Sequence, residues 1–264
     1  MSMSPKYALI TGASSGIGFE LAHVYASRGF NLVLVARDQA KLHAVSKALA
    51  REYGQQVEAI ALDLTKPGAL NQITKQLQKD SIEIEVLINN AGFGLFGSAL
   101  ETDLETERNM IELNIVALTA LTKHFARAMV ERGHGGIMNV ASTASFFPGV
   151  NMSVYYATKA YVLSYSLALA EELAQADVHV MALCPGPTKS NFAATAHAGK
   201  TRLFGRPMDA RKVAEVGYRG MKYRRRVVVV GLHNKLAVYV RRILPDWLAA
   251  QAVRRASRLR KPFR

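Results

Sequence analysis

The strongest constraint on this chain is a rhythm. Short apolar runs alternate with longer helix-period segments from one end to the other. The apolar runs cover residues 7–11, 32–36, 57–62, 86–89, 137–142, 178–184 and 227–230. Helical patterns begin between them near Gly16, Asp38, Pro67, Asp103, Ser153 and Asp209. Asp38, Asp103 and Asp209 each stand where an N-cap acceptor belongs. Runs that are apolar on both faces and alternate with helices predict a parallel sheet covered on both sides. About seven such strands predict a doubly wound α/β fold. A length of 264 residues, half of them hydrophobic, suits one such unit and leaves too little chain for a second.

The first strand runs directly into a glycine-rich turn, Gly12, Ala13, Ser14, Ser15, Gly16, Ile17 and Gly18, and then into a helix. Glycines let backbone approach a pyrophosphate, and a helix N-terminus offers free N–H groups to its oxygens. The second strand ends at Ala36-Arg37. An acidic residue there would bind a ribose 2′-hydroxyl. Alanine followed by arginine leaves room and a cation for a 2′-phosphate, which points to NADP(H). Asp63, after the third strand, fits either an adenine contact or a cap on the following turn.

Tyr155 and Lys159 stand at i and i+4, one turn apart on a helix face. An ammonium beside a phenol favours phenolate, so this spacing predicts a lowered tyrosine pKa. Working near neutrality needs a shift of about 3 units, or roughly 4 kcal/mol. The adjacent Tyr156 has Lys159 only at i+3.

With these motifs, Asn89-Asn90-Ala91-Gly92, and Ser142 placed 13 residues before Tyr155, the chain resembles the short-chain dehydrogenase/reductase family over residues 6–231. The resemblance implies a Rossmann fold and hydride transfer from NADP(H). It implies catalytic roles for Asn114, Ser142, Tyr155 and Lys159: a proton relay, a substrate hydrogen bond, general acid/base work, and support of phenol and ribose. Gly12, Ser14, Ser15, Gly16, Ile17, Gly18, Arg37, Asp63, Asn90, Ala91, Gly92, Pro185, Gly186 and Thr188 would join Tyr155 and Lys159 in holding the cofactor. No metal ligand set is expected. The alternative is a catalytically silent NADP-binding sensor or scaffold.

Aromatic residues near the expected pocket mouth predict a hydrophobic ketone or aldehyde, such as a 3-oxoacyl, steroid-like or other lipid-derived carbonyl. The substrate candidates are Phe93, Phe146, Phe147, Tyr156 and Phe192. The expected organisation is a cofactor-binding catalytic domain over 1–231, with a substrate loop at 185–208, and a basic helical extension over 232–264. The family's habits imply a homodimer or homotetramer.

Charge is unevenly placed. Residues 1–218 hold 20 Lys/Arg and 19 Asp/Glu, whereas residues 219–264 hold 14 Lys/Arg and only Asp246. A neutral body and a basic end argue against general nucleic-acid binding, and the arginines lack interleaved aromatics. Trp247, Leu248, Val253 and Leu259 mix with Arg254, Arg255, Arg258 and Arg260 at helical spacing. That pattern fits an interfacial helix on an anionic membrane, a grip on an acidic partner, or a subunit contact. One cysteine, Cys184, excludes a disulfide framework. The chain shows no signal-peptide pattern and no apolar run near the ~20 residues that span a bilayer. A cytoplasmic protein, peripheral at a membrane if the tail binds lipid, is expected.

Overall fold

The computed structural model describes residues 6–199, 201–205 and 207–258. Leu259 and Arg260 of the basic end, and Lys200 and Arg206 of the 185–208 loop, lie outside the described residues. In chain order the elements are β1 (Tyr7–Thr11), α1 (Gly16–Ala26), β2 (Asn31–Ala36), α2 (Gln39–Tyr53), β3 (Val57–Ala61), α3 (Ala69–Lys79) and β4 (Ile84–Asn89). Then follow α4 (Leu104–Ile111), α5 (Leu118–Arg132), β5 (Gly135–Val140), α6 (Ser153–Glu172), β6 (Val178–Cys184) and α7 (Phe192–Thr195). The last elements are α8 (Ala210–Lys222), β7 (Val227–Val229), α9 (Leu232–Arg241) and α10 (Asp246–Ala256).

The strands form one parallel seven-stranded sheet in the order β3-β2-β1-β4-β5-β6-β7. The order reverses between β1 and β4, so loops leaving their carboxyl ends diverge and open a crevice. Side chains alternate across the pleat. Ala8, Ile10, Leu32 and Leu34 pack under one helical layer with Leu21, Leu42 and Val213. Leu9, Val33, Val35 and Leu87 pack under the other with Ile73, Leu121 and Phe125. Each fully buried Leu or Ile contributes about 1.5–3 kcal/mol of transfer free energy. The three aspartates cap as expected. Asp38 accepts from the Lys41 amide at 3.0 Å, Asp103 from Thr106 at 2.8 Å, and Asp209 from Lys212 at 3.0 Å.

Two boundaries differ from expectation for local reasons. The third helix begins at Ala69 rather than Pro67, because Gly68 takes a left-handed φ of 81° just before it. β5 ends at Val140, so Ser142 sits in the turn beyond it. There its Oγ accepts from the Ala144 amide at 3.0 Å and caps a 3₁₀ turn, Thr143–Phe146.

Below the crevice runs a buried polar chain. Asn89 Nδ2 donates to Thr122 Oγ1 and to Asn139 Oδ1, both at 2.9 Å. Asn139 Nδ2 donates to Ser166 Oγ at 3.0 Å. The chain ties β4 and β5 to α5 and α6. Asn139→Leu keeps the branched shape but removes two of these bonds inside the core. It should destabilise the protein by about 1–3 kcal/mol, read as a lower urea midpoint at unchanged m-value.

Candidate active site

The crevice continues into a cavity of about 690 Å³. One end is the glycine turn. Thr11 Oγ1 accepts from the Asn90 and Ala91 amides at 3.0 Å each and so pins the end of β1 to the end of β4. Asn90 Nδ2 donates to Thr11 O at 2.9 Å and Gly12 O at 3.2 Å. Gly12 and Gly16 hold left-handed φ values of 67° and 59°. A Cβ on Gly18 would meet Gly12 O at 2.3 Å and Asn90 Nδ2 at 2.4 Å. Gly18 is therefore the close contact beneath the turn and does not itself line the cavity, whereas Gly12, Ser14, Ser15, Gly16 and Ile17 do. Ser15 leads into α1 without a side-chain cap, so no side chain claims the helix's first amides. A glycine cradle closed to any Cβ, with uncapped helix amides above it, fits a pyrophosphate.

Ala36, Arg37 and Asp63 line the neighbouring end. Asp38, beside Arg37, spends its carboxylate on its own helix, also pairing with Lys41 Nζ at 2.9 Å. Arg37 joins no ion pair within 4 Å among the described residues, and its side chain is exposed. Asp63 accepts from Thr65 N at 3.0 Å and Oγ1 at 2.8 Å, so it caps the turn. Burial pushes its carboxyl up, but the two Thr65 bonds and the charges of Arg37 and Lys66 outweigh this and hold it low.

Asn90, Ala91 and Gly92 line the middle of the cavity, opposite Pro185, Gly186 and Thr188. Gly186 is pressed against α9: a Cβ there would lie 2.5 Å from Asn234 Nδ2. Asn234 is held by bonds to Val230 O at 2.7 Å and Met208 Sδ at 3.3 Å. Nothing local in the sequence pairs Asn234 with a turn 48 residues earlier, so sequence reasoning missed it.

Ser142, Tyr155 and Lys159 line the inner end; Asn114 lies just behind it and does not line the cavity. Asn114 occupies a π-helical turn, Glu112–Ala117, between α4 and α5, a distortion that re-aims a side chain. Fully buried, it accepts from Phe93 N at 3.2 Å and donates to Phe93 O and Thr158 Oγ1 at 3.0 Å. A Cβ on Gly92 would lie 2.8 Å from Asn114 Oδ1 and 3.4 Å from Lys159 Nζ, so these two groups converge on Gly92. Lys159 Nζ donates to Val140 O at 2.8 Å.

Electrostatics here differ from the sequence expectation. Burial raises the Tyr155 phenol well above its ordinary value, opposed by the hydrogen-bonding Ser142 hydroxyl. The lysine charge does not offset this, because desolvation dominates and the ammonium is turned to a backbone carbonyl. Burial likewise lowers Lys159 from 10.5 to about 8, with Cys184 acting the other way. Tyr156 is pushed up to about 12 by burial, and Ser142 acts on Tyr155, not Tyr156. Tyr156 packs its ring over Gly149, where a Cβ would lie 2.2 Å from the ring.

The outer wall is aromatic. Phe93, Tyr156 and Phe192 line the cavity, as do Met152, Leu203 and Phe204. Phe192, at the start of α7, stands 5.2 Å from the Tyr155 ring and stacks on Phe204 at 6.2 Å. Phe146 and Phe147 do not line it. Phe146 points into a separate core cluster with Leu118, Val162 and Leu163, and Phe147 packs behind the aromatic wall. Their place at the end of the 3₁₀ turn after Ser142, Phe146 within it and Phe147 just beyond, sends them away from the opening.

The depressed lysine makes stability depend on pH. Between about 8 and 10.5 the unfolded chain holds a proton at Lys159 that the folded chain has released, so stability rises with pH across that window and is level below it, where both states hold the proton. Wild type should gain roughly 2 kcal/mol between pH 8 and pH 10 relative to Lys159→Met, measured by denaturant unfolding at both pH values. Parallel pH curves for the two proteins would contradict it.

Comparison with known proteins agrees with this geometry. The short chain dehydrogenase family profile matches residues 6–201. A short-chain dehydrogenase from Sphingobium yanoikuyae, solved in complex with NADPH, is 35% identical and superposes with a TM-score of 0.81 over 98% of both chains. The bulky-bulky ketone specific alcohol dehydrogenase of Comamonas testosteroni is 30% identical, with a TM-score of 0.77 over 98% of this chain and 96% of that one. The very-long-chain 3-oxoacyl-CoA reductase of Phaeosphaeria nodorum is 34% identical over 68% of this chain, a match spanning 54% of that protein. A seven-stranded parallel sheet, a glycine cradle at its switch point, and a profile match over most of the sheet lead to one conclusion: the chain belongs to the short-chain dehydrogenase/reductase family of oxidoreductases.

Proposed function

We propose that the protein is an NADP(H)-dependent reductase of a hydrophobic ketone or aldehyde, with 3-oxoacyl, steroid-like and other lipid-derived carbonyls as the substrate class. One observation carries the reading. A single cavity has an unpaired arginine beside Ala36 at one end and the Ser142/Tyr155/Lys159 cluster under an aromatic wall at the other. The NADPH-bound relative and the relatives named for bulky ketones and long-chain 3-oxoacyl-CoA lie in the same direction.

When bound, the nicotinamide supplies the hydride. The chain's own residues handle the proton and the positioning. Burial keeps the Tyr155 phenol protonated at neutral pH, the form that donates to a carbonyl oxygen during reduction. The Ser142 hydroxyl, held by the Ala144 amide, offers a second hydrogen bond to that oxygen. Lys159, anchored on Val140 O, lies beside Asn114 as the group that restores the phenol's proton. Arg37 receives the 2′-phosphate, and Gly12–Ile17 hold the pyrophosphate. Phe93, Phe192 and Phe204 exclude water and bind the apolar part of the substrate. The working unit is a dimer or tetramer: Ile111, Val116, Tyr161 and Leu167 leave apolar surface exposed on and between α4, α5 and α6.

Tyr155→Phe should lower kcat for ketone reduction by about 10²–10⁴-fold with NADPH affinity unchanged. Turnover equal to wild type would remove the acid role. Arg37→Asp should reduce the NADPH-over-NADH ratio of kcat/KM by about 100-fold, the loss of one charge-assisted phosphate contact plus repulsion. A ratio that does not move would assign the cofactor preference elsewhere. Among carbonyls, long-chain 3-oxoacyl thioesters and bulky ketones should be turned over and short polar sugars should not.

A further inference from the structure

We propose that α9, continued by the turn into α10, is a docking face for anionic membrane lipid, set beside the substrate loop. The inference concerns where the protein sits and does not depend on which carbonyl it reduces.

The face is a stripe. Leu232, Leu236 and Tyr239 stand at i, i+4 and i+7 on α9, and Ile243 follows one turn on. Their exposures are 80, 61, 67 and 76%, and Trp247 at the start of α10 is 61% exposed. Leu232, Leu236 and Tyr239 share one side of α9, because 3.6 residues make a turn, and Ile243 and Trp247 extend the exposed apolar surface beyond its end. Lys235 and Arg242 flank the stripe, and both are exposed.

The opposite sides of both helices are already committed to the body. Val238 and Ala249 are buried. Asn234 touches the Gly186 turn. Val253 joins the aromatic cluster of the substrate wall. Ser257 Oγ donates to Val150 O at 3.2 Å, and Arg202 N donates to Arg258 O at 3.0 Å. The helices are thus fixed in place with the apolar stripe outward.

Charge selects the occupant. Residues 219–264 hold 14 Lys/Arg against Asp246 alone; Arg241 takes Asp246 as its partner, while Arg224 pairs with Asp177 and Arg226 with Glu171 on the body. Lys235, Arg242, Arg254 and Arg255 enter no ion pair within 4 Å among the described residues. A second copy docking by the same face would bring this excess against itself, since a two-fold contact is self-complementary in shape but not in sign. An anionic lipid surface satisfies both features: acyl chains receive the leucines, interfacial headgroups receive Tyr239 and Trp247, and lipid phosphates neutralise the cations. Because α10 also braces Phe204 and its neighbours, docking would bring the substrate loop against the lipid.

The 264-residue protein is sedimented with vesicles of phosphatidylcholine alone and of phosphatidylcholine containing about 30% phosphatidylserine. Binding should be at least about tenfold tighter to the anionic vesicles and should be released by high salt. The double variant Leu236→Glu/Ile243→Glu should lose it about tenfold or more while keeping its unfolding temperature and its NADP(H) affinity. Lys235→Glu/Arg242→Glu should weaken binding and its salt dependence together. Wild type that stays in the supernatant overturns the proposal. So does equal sedimentation of the Leu236→Glu/Ile243→Glu variant. A fall in that variant's oligomeric mass by light scattering, with vesicle binding intact, assigns the face to subunit contact instead. Loss of NADP(H) affinity in wild type would count against the proposed function and leave the docking result readable.

Discussion

The close approach of β1 and β4 at the sheet's reversal point governs everything built above it. Thr11 Oγ1 holds the Asn90 and Ala91 amides, and Asn90 Nδ2 holds the Thr11 and Gly12 carbonyls. Those bonds need a glycine at position 18, because a Cβ there would lie 2.3 Å from Gly12 O and 2.4 Å from Asn90 Nδ2. With the knot in place, the carboxyl ends of the strands spread and the cavity opens between them. Its glycine floor, arginine corner and tyrosine end are consequences of where the strands stop.

Burial, more than charge pairing, sets the proton chemistry at the inner end. A lysine one helical turn from a tyrosine suggests mutual stabilisation of ammonium and phenolate. Once both are inside the protein, desolvation disfavours each charged form. The phenol is pushed up and the ammonium is pulled down. The result favours a protonated acid beside a lysine that exchanges protons near neutrality, which suits carbonyl reduction. Asn114 and Thr158 fix the geometry by tying the π-helical turn to α6.

Much of the fold was legible because its signals are local. Continuous short apolar runs, aspartate N-caps and a glycine turn at the first strand–helix junction each report on a few adjacent residues. The candidate site was legible where motif residues lie at strand ends, as with Gly12–Ile17 and Asn90–Gly92. It was less legible in loops. Phe146 and Phe147 follow Ser142 by four and five residues, yet the intervening 3₁₀ turn sends them into two different packing clusters. Asp63 had two readings: its Oδ1 takes the Thr65 bonds that cap the turn, and the residue also lines the cavity.

The sequence by itself determined the parallel α/β layering, the glycine cradle, the spacing of Tyr155 to Lys159 and the concentration of positive charge at the carboxyl end. Each follows from periodicity or from residue type, quantities written along the chain. Only the tertiary structure decided the direction of the Tyr155 shift, the contact of Asn234 with Gly186, and which face of α9 remains outside. Those depend on desolvation and on contacts between residues far apart in sequence, and no local pattern encodes how deeply a group is buried or what arrives to cover it.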